Sequence, residues 1–138
     1  MERQKALEDI RDNYGLLAVY LFGSRADDGL SLLRGESVNP GGSDLDIGIV
    51  FLQREPRLSQ LGSIQSELSD VFSPLPTDLV PLQKVDPLFQ FRAIDGHRID
   101  VADTHRADLY ELDVMRRAAE LLPVQRHLDR DIFGVSTS

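Results

Sequence analysis

Two carboxylates, Asp44 and Asp46, stand two residues apart in the alternating run Ser43 to Leu52. In an extended strand, residues two apart project to one face with about 6.6 Å between their Cα atoms. Carboxylates so placed can converge on one hard cation, and Mg²⁺ held this way keeps sites open for water and for the phosphate oxygens of a nucleotide. An isolated Asp-x-Asp is more often a pair of solvated residues on the open face of a half-buried strand. The Gly23-Ser24 pair shifts that balance, because it ends an apolar run and precedes helix-compatible residues. Such a turn offers backbone N–H groups to an anion, with Gly allowing close approach and Ser adding a hydroxyl donor. Its alternative is a routine loop after a strand. A third acid, Asp78 in Thr77-Asp78-Leu79-Val80, has apolar neighbours that suggest burial, and a buried unpaired carboxylate needs a metal, a cation or an open cleft. An exposed acid at a strand start is the other reading.

The elements that must position these residues follow from apolar spacing. Leu7, Ile10 and Tyr14, with Ala6 beside them, predict a leading amphipathic helix. After Gly15, the run Leu16 to Phe22 has the length and composition of a strand buried on both faces. Asp27 to Gly42 is rich in Asp, Gly, Ser, Asn and Pro and reads as a loop, with a turn of helix available at Leu30, Leu32 and Leu33. In Ser43 to Leu52, Asp44, Asp46, Gly48 and Val50 share one face, opposite a core side of Leu45, Ile47, Ile49 and Phe51. Leu58, Leu61, Ile64, Leu68 and Phe72 predict a helix ended by Pro74 and Pro76, and Thr77 to Leu82 a short strand. Asp86-Pro87 opens a helix that stops at Gly96, Arg98 to Ala102 is a last strand, and Thr104 to about Leu122 a final helix. Apolar residues cover about 200° of that last helix, so one side closes the core, and the other is left for a partner, a second copy or another element of the same domain.

The 138 residues carry 23 acidic and 15 basic side chains, a formal charge of −8. That length fits one domain, 1–138, with a helical tail from about residue 104. The negative balance argues against a duplex-DNA binder, and the absence of cysteine excludes thiolate zinc, iron–sulfur and cysteine-nucleophile chemistry. No apolar run approaches a membrane span, and the charged start does not read as a signal peptide, so a cytoplasmic protein is expected. His97, His105 and His127 lack a metal-binding spacing and read as surface residues; Asp100, Asp103, Asp108 and Asp113 read as solvated charges or caps.

Gly23-Ser24-Arg25-Ala26, Ser43-Asp44-Leu45-Asp46-Ile47 and Thr77-Asp78-Leu79-Val80, in that order, resemble the three signatures of minimal nucleotidyltransferase (MNT) domains, within the DNA polymerase β nucleotidyltransferase superfamily. The resemblance runs from about Leu16 to Leu122. It implies an α/β (α+β) fold, a small mixed sheet backed by helices. It also implies that Gly23 and Ser24 grip a nucleoside triphosphate, with Arg25 and Ser43 as further nucleotide contacts, and that Asp44, Asp46 and Asp78 bind two catalytic Mg²⁺ ions. Arg25 is as readily a surface cation. The implied activity is transfer of AMP from ATP to a hydroxyl, with a helical HEPN-type RNase toxin as partner and acceptor. A small-molecule acceptor such as an aminoglycoside is the alternative enzyme, and a nucleotide-binding module that neutralises its partner by occlusion is the non-enzymatic one. The chain departs from the MNT pattern in the nineteen residues from Arg25 to Ser43, a longer connection than usual, with the surplus in Leu32 to Gly42. Its glycines and Pro40 predict a mobile segment that packs little side-chain mass and can be shortened without loss of folding.

Overall fold

The computed structural model describes residues 2–133, and side chains as far as Leu122. The chain runs α1 (Arg3–Tyr14), β1 (Leu16–Phe22), α2 (Ala26–Leu33), β2 (Leu45–Phe51), α3 (Leu61–Val71), β3 (Thr77–Pro81), α4 (Pro87–Ile94), β4 (His97–Val101) and α5 (Thr104–Phe133). The strands form one mixed sheet in the order β3-β2-β1-β4. β1 is antiparallel to both neighbours, whereas β2 and β3 are parallel, their link being the crossover through α3. Every residue of β1 is buried, as a central strand covered on both faces requires.

Val19 and Leu21 of β1, with Leu45, Ile47 and Ile49 of β2, pack against Leu7 and Ile10 of α1 and Ile64 and Leu68 of α3. On the other face Ala18, Tyr20 and Phe22 meet Val50, Leu82, Ala93 of α4 and Ala107 of α5. The alternation in β2 predicts an open face for Asp44, Asp46, Gly48 and Val50; the structure corrects this, because α4 and α5 cover that face and bury Gly48 and Val50. Gly48 leaves room there for Leu82, which would lie 3.0 Å from an added Cβ. The carboxylates reach solvent because they stand at the end of the strand.

Two further expectations are revised. Loop composition from Asp27 hides an eight-residue helix, α2, whose Ala26, Gly29 and Leu32 are buried at a spacing of three. Gly29 sits so close to Leu21 and Leu45 that a methyl group would overlap Leu21, so its role is helix-to-sheet approach rather than loop freedom. Asp100, read as solvated, is a buried residue of β4 whose side chain is 5% exposed and paired with Arg11 of α1 at 3.1 Å. Burial pushes its carboxyl up, and the Arg11 guanidinium opposes that shift. The other three acids match their reading: Asp103 accepts the Arg106 N–H as a helix cap, Asp108 pairs with Arg98, and Asp113 pairs with Arg116 and Arg117.

The last helix is fastened by polar contacts as well as by Ala107, Val114 and Ala118. Tyr20, fully buried, donates to Glu111 Oε2 at 2.6 Å, Arg98 donates to the same oxygen at 2.8 Å, and Tyr110 donates to Gln90 of α4 at 2.7 Å. Its outer side leaves Leu109, Leu112, Met115, Leu121 and Leu122 exposed, Leu112 to 60%. Among the described residues, no helix is long and apolar enough to cross a membrane.

Candidate active site

Parallel pairing sets Asp46 of β2 directly beside Asp78 of β3, so both carboxylates project to one face with backbones about 4.8 Å apart. The antiparallel pairing on the other side sets Phe22 beside Asp46. The Gly23-Ser24 turn therefore begins where the carboxylates stand, although 21 residues separate Ser24 from Asp46 in the sequence. Gly23 has a φ of 77°, and a Cβ there would overlap the Asp46 carboxylate. Only glycine meets both demands. Gly23→Ala should leave the fold intact and lower the transfer activity that the MNT resemblance implies about 100-fold by displacing that carboxylate, as a misplacement near 1 Å does at other sites. A transfer assay beside circular dichroism checks this, and full activity in a folded variant would remove the turn from the site.

Asp46 is half-buried, and its carboxyl is pushed up by burial first, then by the negative charges of Asp78 and Asp44. Asp78 corrects the expectation drawn from Leu79 and Val80: it is exposed, because it stands at the start of an edge strand on the rim of a cleft. Asp44 is exposed one residue before β2 and does not line that cleft. Among the described residues, no group of three His, Cys, Asp or Glu side chains stands close enough to hold an ion unaided.

Ser24 and Ser43 share a hydrogen bond of 2.9 Å between their hydroxyls, so the two serines of the sequence signatures do meet. Arg25 is not the surface cation of one sequence reading. It is 6% exposed, and its guanidinium donates to Asp28 at 2.9 Å and to the carbonyls of Asn39, Gly41 and Ser43. Those bonds tie down the long connection, which the sequence predicts to be mobile, while Leu32 is buried and Val38 packs on the core. A phosphate contact by Arg25 would cost these bonds.

The cleft at the carboxylates has a volume of about 480 Å³ and is walled by Phe22, Gly23, Val80, Phe89, Arg92 and Asp95 besides Asp46 and Asp78. A second hollow of about 290 Å³ shares Phe22, Gly23, Arg92 and Asp95 with it and continues past Ser24 to Asp27 and His97. His97 Nε2 lies 2.8 Å from Asp27 Oδ1, at the surface as its spacing predicts; His105 is exposed, and His127 lies outside the described side chains. Two adjacent carboxylates, a glycine turn with hydroxyl and amide donors, and an open cleft beside them suit phosphoryl chemistry, in which the protein mainly positions groups and balances charge.

The family model "Polymerase beta, Nucleotidyltransferase" matches residues 4–105, which hold every residue of this site. The chain belongs to the polymerase beta nucleotidyltransferase family. No curated protein matches it. Among solved structures, this nucleotidyltransferase is similar to a toxin–antitoxin crystal structure with AMP-PNP, at TM-score 0.66 and 14% identity over 94% of this chain and 97% of that one. It is also similar to the complex of a tri-AMPylated Shewanella oneidensis HEPN toxin with an MNT antitoxin, at TM-score 0.64 and 15% identity over 96% and 98%. A third is the MntA-HepT toxin–antitoxin, at TM-score 0.63 and 16% identity over 95% and 96%. At these identities the likeness shows the shared fold, the mixed sheet and helices that the MNT resemblance implies.

Sequence reasoning passed over Phe22, Phe89 and Arg92. The rings of Phe22 and Phe89 meet edge to face at 5.8 Å, and the Arg92 guanidinium lies over Phe89 at 5.9 Å. The available signal is the spacing of Phe89 and Arg92, three apart on a capped helix, which ordinary surface helices share.

Proposed function

We propose that this nucleotidyltransferase transfers AMP from ATP to a hydroxyl of a helical HEPN-type RNase partner and so acts as its antitoxin. The observation that carries the reading is the pairing of Asp46 with Asp78 beside the Gly23-Ser24 turn. The triphosphate would lie against the turn and the Ser24 and Ser43 hydroxyls, with its α-phosphorus at the two carboxylates. The acceptor oxygen forms a bond to that phosphorus, the bond to the oxygen bridging the α- and β-phosphates breaks, pyrophosphate leaves, and the hydroxyl proton passes to a carboxylate or to water.

The donor set fits Mg²⁺, which is commonly bound through one or two carboxylates together with phosphate oxygens. Asp46 and Asp78 would hold it, and Asp44 with a second ion would make up the set the resemblance implies. When bound, the metal supplies charge neutralisation at the triphosphate. Burial, and after it the negative charges of Asp78 and Asp44, hold the Asp46 carboxyl up, and a cation there would relieve both. The neighbouring toxin–antitoxin structures support the acceptor class, and the uncovered apolar side of α5 offers a dry contact for a partner or for a second copy. The net charge of −8 suits a basic ribonuclease. We take the chain as one domain acting in the cytoplasm, where ATP and RNA occur.

The position of Asp44 outside the cleft favours a second reading, a nucleotide-binding module that neutralises its partner by occlusion. Mass spectrometry after incubation of the complex with ATP and Mg²⁺ tests both. Transfer adds about 329 Da per event to the partner, in step with loss of its RNase activity. An inhibited but unmodified partner supports occlusion and overturns transfer.

A further inference from the structure

The two hollows meet at α4, and Arg92 lines both, together with Phe22, Gly23 and Asp95. Among the described residues it is the only arginine or lysine lining either one, with Asp95 shared, Asp46 and Asp78 on one side and Asp27 on the other. Arg11, Arg25, Arg98, Arg116 and Arg117 each pair with a carboxylate, whereas Arg92 is held over the Phe89 ring. The helix beneath it is firmly placed. Asp86 caps α4 by accepting the Phe89 N–H at 3.0 Å, and Gln90 is buried between the Val85 carbonyl and the Tyr110 hydroxyl.

We propose that Arg92 binds the β- and γ-phosphates of the nucleotide and steadies the pyrophosphate as it leaves. This rests on the nucleotidyl-transfer reading above. If the α-phosphorus stands at Asp46 and Asp78, the rest of the triphosphate runs toward Ser24, and the boundary of the two hollows is where its outer phosphates lie. An acidic cleft repels such a chain of charge unless a cation answers it, and a guanidinium presents two parallel donors that match phosphate oxygens. Stacking on Phe89 limits the rotamers Arg92 must give up on binding.

The test compares the wild type with Arg92→Ala and Arg92→Lys by titration calorimetry against AMP-PNP, AMP and pyrophosphate, with melting curves as the control for folding. Arg92→Ala should weaken AMP-PNP and pyrophosphate about 10- to 100-fold and leave AMP within about twofold, since AMP lacks the outer phosphates. Arg92→Lys should recover part of the loss. In transfer assays the alanine variant should raise KM for ATP and also lower kcat, because the leaving group loses a partner. Equal loss for AMP and AMP-PNP, or no loss for either in a folded variant, overturns the assignment of Arg92 while the wild type still binds and transfers. A wild type that binds none of the three ligands overturns the nucleotidyl-transfer reading and this inference with it.

Discussion

Asp46→Asn should raise the melting temperature of the metal-free protein and at the same time abolish its chemistry. The stability gain follows from the raised carboxyl, caused by burial and by Asp78 and Asp44. An acid whose pKa is higher folded than unfolded binds its proton more readily in the native state. Wild-type stability therefore falls as pH rises from the ordinary carboxylate value through the raised one, and the full cost is present at neutral pH. The neutral amide removes that cost, so the variant's melting temperature should exceed the wild type's at pH 7 and the two should converge in acid. Activity moves the other way. Charge stabilisation worth several kcal/mol is lost with the carboxylate, and at 1.36 kcal/mol per factor of ten, transfer should drop about a thousandfold. MgATP at a hundred times its dissociation constant should stabilise the wild type by about 2.7 kcal/mol and the variant far less. Equal stabilisation of the two would remove Asp46 from the metal set, and full neutralisation of the partner by the variant would establish occlusion.

The second large effect is expected at Arg25. Arg25→Ala leaves the carbonyls of Asn39, Gly41 and Ser43 without their donor and should cost about 2–4 kcal/mol in urea unfolding. The chain entering β2 through Ser43 and Asp44 loses its anchor, so ATP affinity should fall at least tenfold. Arg25→Lys should not restore it, because a single ammonium cannot span three carbonyls and Asp28. Deleting Leu32 to Asn39, harmless on the sequence reading, should now destabilise the fold, since it removes buried Leu32, Val38 on the core and the Asn39 acceptor. A well-folded deletion with native affinity would restore the view of a passive insertion.

What the sequence revealed and concealed divides along one physical line. Leu16 to Phe22, the alternation through Ile47 and Ile49, and the Asp86-Pro87 helix start are local signals, and the elements formed where those signals stand. The pairing of Asp46 with Asp78 is a register between strands separated by a helix, and only the resemblance to MNT domains anticipated it. Arg25 and Asp100 went astray for a related reason. A charged side chain is assigned to the surface until a partner is known, and those partners, loop carbonyls and Arg11, lie far along the chain. α2 was concealed by composition, because Gly29 and its aspartates signal a loop while close packing on Leu21 makes the helix worthwhile.

The position of β1 in the sheet bears on how the chain comes to be folded at all. Its seven residues carry no charge, and the neighbour that completes its hydrogen bonds, β4, is made only after β2, β3 and the helices between them. Until His97 to Val101 emerges, one edge of Leu16 to Phe22 stands unpaired, a template for any other extended chain. The contacts that end this exposure span the longest separations in the sheet, which slows the step that forms them. The nascent protein is therefore most prone to aggregation just before its last strand arrives, and early termination ahead of residue 97 would release an insoluble fragment rather than a smaller working domain.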